Sequence, residues 1–565
     1  MSLRFVLTLH SHLPWVLHHG RWPHGSDWIC EAALDSYLPL VALLEQLEGE
    51  DVPPPITLGI TPILAAQFAH QSFRDELDAY FAHRLETIAE APASLRETGD
   101  EHLLPLVDYW RAHVQMLQAA WLRVGKDLIA AFRRHAQAGR IELISSAATH
   151  GFLPLLGRDE SIRLQLLVGR SEHARHFGEL PRGCWVPECA YRPAGPWQPL
   201  PGATRRALRA GIEDHLRHAG FGWFFVDAHL VDAGEAFDPY TGVTRVRTPA
   251  SPTRSPHRGY RVGNNTHGRP VYVLVRDPAT TEQVWSRHGG YPGDGRYLEF
   301  HKIRHPGGLK YWRVTDSAAD LGAKLPYVPG AARDAASSHA AHFQTLLEST
   351  VATATPADHV IVAPFDTELF GHWWFEGMDF LRFLYEDLAA NQPESRSRTS
   401  VAPAQHPGCV PTTAGAALAA NPPAVSLRLT PGSWGKDGDF SMWLNPETEW
   451  TWLRLWPLED RFWNAVPAAM AHWDARPILE QAARELLLAQ SSDWQFIIST
   501  GAAGDYATKR FVEHCEALES LLPYLENPAM NIPAGTALAA ALQEIDGPFP
   551  ELFGAIAAAS DVVSP

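Results

Sequence analysis

Short apolar runs recur along the chain, each ending at a Gly, Pro or polar residue: Phe5–Leu9, Ile56–Ile60, Ile141–Ser145, Gly183–Val186, Gly222–Val226, Val271–Val275 and Val360–Ala363. Runs of this length without strict alternation predict strands buried on both faces, as in a parallel sheet. Between them lie stretches with apolar residues at helical spacing, notably Val107–Ala136 and Ile162–Phe177. Strand followed by helix, repeated, predicts an α/β fold: a seven-stranded parallel (β/α)7 barrel.

Some stretches exceed a plain connection. Residues 64–139 predict a helical insertion, and 228–268, rich in Gly, Pro, Arg and Thr, a long loop or small subdomain. These belong to a barrel unit spanning 1–390, followed by a Pro/Ala/Ser-rich linker or crossing segment at 391–425. From 426 to 565 helical periodicity returns in Trp452–Arg461, Ile478–Ala489 and Tyr506–Leu522, which predicts a C-terminal helical domain.

Composition narrows the partners. The chain has 565 residues, 45% of them apolar, and a net charge of −17, which argues against nucleic acid or an anionic membrane and favours a neutral ligand. No apolar run approaches the roughly 20 residues needed to span a bilayer, and Met1-Ser2-Leu3-Arg4 leads straight into a strand, so a cytoplasmic protein is expected. Five cysteines, Cys30, Cys184, Cys189, Cys409 and Cys515, lack paired spacing and predict neither disulfides nor a zinc knuckle. Oligomeric state is left open, a monomer being compatible.

In a β/α barrel, chemistry gathers where strands end. His10 and His12 follow the first strand, His150 the third, Glu188 the fourth, Asp227 the fifth, Arg276 and Asp277 the sixth and Asp366 the seventh. Of the twenty tryptophans, Trp15, Trp22, Trp28, Trp185, Trp285, Trp373, Trp374, Trp434, Trp443 and Trp494 stand in polar company. Each alone reads as core; together they suggest a groove whose aromatic faces stack on sugar rings.

Glu188 sits in Gly183-Cys184-Trp185-Val186-Pro187-Glu188-Cys189-Ala190-Tyr191, where Pro187 ends the strand. Asp366 repeats the arrangement in Ala363-Pro364-Phe365-Asp366-Thr367-Glu368-Leu369-Phe370-Gly371-His372-Trp373-Trp374. Taken alone, the first reads as a loop glutamate and the second as a helix cap. As a pair across a barrel mouth they suit glycosidic bond cleavage, one carboxylate attacking the anomeric carbon and the other protonating the leaving oxygen.

These two segments resemble the third and fourth conserved regions of glycoside hydrolase family 57. Leu9-His10-Ser11-His12-Leu13-Pro14 resembles the first region, with Ser11 where many members have Gln, and Ile141-Glu142-Leu143-Ile144-Ser145-Ser146-Ala147-Ala148-Thr149-His150-Gly151 resembles the second. Pro431-Gly432-Ser433-Trp434-Gly435-Lys436-Asp437-Gly438-Asp439-Phe440-Ser441-Met442-Trp443-Leu444-Asn445 resembles the fifth. The resemblance implies retaining chemistry on α-glucans without metal or cofactor, with Glu188 as nucleophile and Asp366 as acid/base. It further implies sugar contacts from His10, His12 and His150, with Trp434, Trp443 and Asp493 along the groove, to which the tryptophans in polar company add Trp28 and Trp285 as substrate-binding candidates. Pro-Glu-Cys-x-Tyr, Trp-Gly-x-x-Gly-Asp and the long loop after the fifth strand are more similar to the family's 1,4-α-glucan branching members than to its amylases or 4-α-glucanotransferases. That loop carries Tyr240, or alternatively Tyr260, as a candidate lid tyrosine.

Two other classes stay open. His10-x-His12 shares a strand face and could bind a metal with His150 or Asp227, as in polysaccharide deacetylases. A non-catalytic glucan-binding protein would account for the tryptophans but not for the carboxylate pair.

Overall fold

The computed structural model describes the chain except residues 1–2, 53, 201–206, 233–253, 264–268, 287–288, 306, 317, 392–408, 528–530 and 562–565. Among the described residues seven parallel strands curl into a barrel: β1 (Arg4–Ser11), β2 (Ile56–Ile60), β3 (Ile141–Ser146), β4 (Gly183–Trp185), β5 (Trp223–Val226), β6 (Val271–Val275) and β7 (Val360–Asp366). Their order is β7-β1-β2-β3-β4-β5-β6. Among the described residues no ladder joins β6 to β7. The seam is held instead by the Asp277 N–H donating to the Val362 carbonyl at 2.8 Å, and by the His257 carbonyl accepting from the N–H groups of His359 and Val360. The antiparallel strand Tyr260–Val262 lies along the free edge of β6.

Period-two alternation decides what points inward. Val6, Ile144, Trp185, Phe225, Leu274, Val360 and Val362 form one buried cluster, while Phe5, Leu7, Leu9 and Ile361 join the larger core under the helices. On β1 the inward series Val6, Thr8, His10 carries a histidine to the mouth; on β7 the series Val360, Val362, Pro364, Asp366 does the same for a carboxylate. The register pairs Val6 with Val362 and His10 with Asp366, so the two polar side chains arrive at one level. The opposite end is closed by the short helix Ala414–Ala420, whose Ala414, Ala417 and Leu418 pack into the inner cluster.

Packing between layers requires glycine at one point above all. A Cβ on Gly169, in helix α4 (Asp159–Phe177), would lie 2.1 Å from the Ser146 carbonyl, so only glycine lets that helix approach β3.

The insertion differs in one respect from the periodicity. The pattern Val107–Ala136 is two helices, α2 (Leu104–Arg123) and α3 (Leu128–Gln137), the former antiparallel to α1 (Gln71–Glu97) in a hairpin. Gly125 and Lys126 both take positive φ, and Asp127 then caps α3 by accepting from the Ala130 N–H at 2.9 Å. The turn residues interrupt the helix while the apolar period continues across them.

The C-terminal helical region comprises α5 (Glu449–Met470), α6 (Arg476–Ala489), α7 (Asp493–Thr500) and α8 (Gly504–Glu526), followed by Ile532–Gln543 and Phe553–Ser560. Helix α6 is buried from Ile478 to Ala489 on every face, which makes it the centre of this bundle. The preceding segment 428–448 is irregular rather than helical. No helix among the described residues is long and apolar enough to cross a membrane.

Candidate active site

Pro187 ends β4, and the next two residues turn back on themselves: Glu188 has φ 61° and Cys189 φ 48°. Left-handed backbone at a non-glycine residue costs about 1–3 kcal/mol and persists only where neighbours fix it. The segment around Trp434 does so. Tyr191 and Gly432 exchange backbone hydrogen bonds of 2.8 and 3.1 Å, and the Trp434 N–H donates to the Glu188 carbonyl at 3.0 Å. The Glu188 side chain, only 14% exposed, accepts from Trp434 Nε1 at 2.8 Å on Oε2 and from Ser492 Oγ at 3.1 Å on Oε1. Burial pushes its carboxyl up to about 7, against those two hydrogen bonds and with the help of the charges of Asp366 and Asp493.

Asp366 lies at the end of β7, facing the same mouth. Burial and the Glu368 charge push it up to about 7, opposed by Arg276 and His12. Among the described residues none hydrogen-bonds to its carboxylate. Glu368, two residues on, takes the Tyr37 hydroxyl and the His12 N–H (3.2 Å) on Oε1, and burial pushes it too up to about 7. Gly371 permits the turn after this segment, since a Cβ there would meet the Asp35 carbonyl at 1.8 Å and its φ is +116°.

The three histidines meet as a stack. His10 and His150 touch through their Nε2 atoms at 3.0 Å, and His12 lies over His150 with ring centres 4.1 Å apart. Trp185 stacks on His10 at 4.5 Å. Burial, then neighbouring histidines, hold His10 and His150 well below the usual imidazole range, so both are neutral. His12 is pinned by Thr61 Oγ1 (3.1 Å) and Asp493 Oδ2 (2.8 Å). Burial works against the Asp493 carboxylate, but the His12 charge and hydrogen bond hold it below its ordinary range. Thus the structure brings His10, His12, His150, Glu188, Asp366, Trp434 and Asp493 together.

Other candidates stand differently. Trp434 is wedged between the Arg276 guanidinium, 5.1 Å from its ring centre, and Trp185 at 5.0 Å. Trp443 is buried and stacked on Phe152 at 4.4 Å. Trp28, on helix Ser26–Ala32, turns its edge to His24, and the indole nitrogen of Trp285 is buried without a partner. Tyr240 lies outside the described residues. Tyr260, its alternative, is buried with its hydroxyl donating to the Ser255 carbonyl at 2.7 Å, which makes it a structural residue of the β6 edge. Ser492, Glu368 and Tyr37 were not among the residues the sequence singled out, and Trp185 stood there only as one of the tryptophans in polar company. For Ser492 the only signal was its place in Ser491-Ser492-Asp493-Trp494.

The donor set gives the metal alternative no support among the described residues. His10 and His150 hold each other, His12 is taken by Thr61 and Asp493, and Asp227 accepts from Arg276 Nη1 at 3.3 Å. Groups of described residues spaced to hold an ion are Glu31, Asp35, His372 and, separately, Glu485, His514, Asp546; neither includes these histidines.

Residues 6–401 match Glycosyl hydrolase family 57, and residues 459–554 match the C-terminal region described as 1,4-alpha-glucan branching enzyme, C-terminal. The chain belongs to glycosyl hydrolase family 57. It is 37% identical over 552 residues to a 1,4-alpha-glucan branching enzyme of Thermococcus kodakarensis, covering 96% of this chain and 77% of that one. A crystal structure of a family 57 branching enzyme from Pyrococcus horikoshii superposes with a TM-score of 0.86 at 35% identity, covering 100% of this chain and 98% of that one. The α-amylase AmyC of Thermotoga maritima follows with a TM-score of 0.78 at 27% identity over the whole of both chains.

Proposed function

We propose that Glu188 and Asp366 together perform a retaining transfer on an α-1,4-glucan, the reaction of a 1,4-α-glucan branching enzyme. The branching activity is supported by relatives of that name that match nearly the whole chain, together with the branching-enzyme C-terminal match. The division of labour rests on one observation: among the described residues Glu188 receives two hydrogen bonds and Asp366 none. Two buried carboxyls in one site do not ionise together, and the first proton leaves the group whose anion is better held. Glu188 is therefore the anion and Asp366 the acid.

In the first step a Glu188 oxygen bonds to the anomeric carbon as the glycosidic bond breaks, and the Asp366 proton passes to the departing 4-oxygen. In the second, the 6-hydroxyl of an acceptor chain gives its proton to the Asp366 carboxylate while its oxygen displaces Glu188. The stacked histidines and Trp434 line this centre; amylose or glycogen is the substrate class, and a cytoplasmic setting suits either.

Glu188→Gln and Asp366→Asn are each expected to abolish 1,6-linkage formation with melting temperature retained. Substantial activity in either variant overturns the assignment. The amylase likeness gives a second reading, in which water takes the place of the 6-hydroxyl. Reducing ends without new isoamylase-sensitive linkages would select it.

A further inference from the structure

Ser492 is the residue the proposed mechanism leaves unused, although it touches the centre twice. It stands at the start of α7, where the C-terminal helices meet the barrel mouth. Its N–H donates to the His150 carbonyl at 3.1 Å, helping to hold His150 in its positive-φ backbone. Its hydroxyl lies 3.0 Å from His150 Nδ1 and 3.1 Å from Glu188 Oε1.

Hydrogen counting fixes the direction of every bond in this chain. A Glu188 carboxylate can only accept, so the single Ser492 hydrogen goes to Oε1. Ser492 Oγ must then accept from His150 Nδ1–H. Neutral His150 consequently has a bare Nε2, which accepts from His10 Nε2–H. Neutral His10 is left with a bare Nδ1, and that atom is buried and without a hydrogen-bond partner. The four residues therefore point all their donors one way, from His10 through His150 and Ser492 onto Glu188.

We propose that Ser492 is a positioning residue that orients and ionises Glu188, and that the tautomers of His10 and His150 act on Glu188 through it. With Trp434 Nε1 on Oε2 and Ser492 on Oε1, both oxygens of the carboxylate are fixed by groups from the C-terminal part of the chain. The relay extends the reading of Glu188 as nucleophile and rests on it. It also gives the buried histidine pair a role beyond contact with sugar: each must stay neutral and in one tautomer, because charging His150 would put a donor where His10 also donates.

The test is the pH dependence of kcat/KM for branching. Glu188 is faced by Asp366 from β7, Asp493 from α7, His150 from the β3 loop and the Trp434 N–H, with Arg276 and His12 beyond Asp366. Ser492→Ala leaves all of these in place, so it isolates one donor. Losing a hydrogen bond to a charged group is expected to move the acid limb up by about one pH unit, with the melting temperature near wild type. Ser492→Thr restores the hydroxyl and should restore the limb. His10→Phe, which keeps the ring on Trp185, should move the limb the same way, and in combination with Ser492→Ala should add nothing further. Neutron diffraction of the wild-type enzyme reads the relay without any assay, with deuterons expected on His10 Nε2, on His150 Nδ1 and on Ser492 Oγ directed at Glu188. A Ser492 deuteron directed at His150, or an unshifted acid limb in Ser492→Ala, overturns the proposal. An active Glu188→Gln instead overturns the nucleophile assignment, so the two failures are distinct.

Discussion

The indole N–H of Trp434 donates to Glu188 Oε2 at 2.8 Å, and the backbone N–H of the same tryptophan donates to the carbonyl of the same glutamate at 3.0 Å. One residue thus fixes both the strained backbone and the side chain of the proposed nucleophile. The indole itself is held by Arg276 and Trp185, so the nitrogen has little freedom to leave.

Trp434→Phe keeps a ring in that slot and removes the donor. A hydrogen bond to a charged group contributes roughly 1.5–3 kcal/mol, so kcat/KM for branching is expected to fall about 10- to 100-fold. The thermal melt should stay close to wild type. Undiminished kcat/KM would mean that Ser492 alone holds the carboxylate.

Activity should follow a bell centred near pH 7. Both carboxyls are pushed up to about 7, and the competent form carries one proton on the pair. Below the bell both are protonated and the nucleophile is lost; above it both are ionised and the acid is lost. With an aryl glycoside whose leaving group needs no proton, Asp366→Asn should lose the basic limb but retain the acid one in the first step. A basic limb that survives in this variant would place the acid elsewhere.

Glu376 offers a test of stability apart from the chemistry. Its Oε1 accepts from Tyr327 and the Leu298 N–H at 2.6 and 3.0 Å, while its buried Oε2 has no partner. Burial pushes it up to about 7. Because the folded pKa exceeds the unfolded one, near 4.3, the folded state binds the extra proton. Stability is therefore lost as pH rises from about 4 to about 7, by roughly 3–4 kcal/mol. Glu376→Gln should flatten the decline of melting temperature between pH 5 and 8. An unchanged slope would show that the cost is met by other buried carboxyls.

Tyr240, which lies outside the described residues, bears as a proposed lid tyrosine on transfer against hydrolysis. A glucosyl ester must be shielded from water long enough for a 6-hydroxyl to arrive. With Tyr240 proposed as part of that shield, Tyr240→Ala is expected to reduce new 1,6-linkages more than reducing ends, measured by proton NMR before and after isoamylase. An equal loss of both would make Tyr240 a general binding residue.

Several features were legible in the chain itself. The apolar runs located all seven strands, because strands buried on both faces need uninterrupted hydrophobicity. The polar residues following those strands, His10 and Asp366 among them, were legible as candidates, and the five motifs named the family; that His10 shares an inner face with Val6, and Asp366 with Val362, came from the register. Boundaries were less legible: Val107–Ala136 kept its helical period across Gly125 and Lys126, where only backbone conformation reveals the break. The irregular segment 428–448, which pairs with residues 188–191, likewise carries no periodic mark of its position.

What the tertiary structure alone decided is the electrostatic character of the pair. Residue identity supplies two carboxyls, but their order of ionisation depends on who donates to them. The Ser492 donor lies 304 residues from Glu188 along the chain, on a helix outside the barrel, and Trp434 comes from a loop between the two parts. Hydrogen bonds of about 3 Å leave no periodicity in sequence, because they are set by how the C-terminal helices seat on the strand ends rather than by any neighbour along the chain.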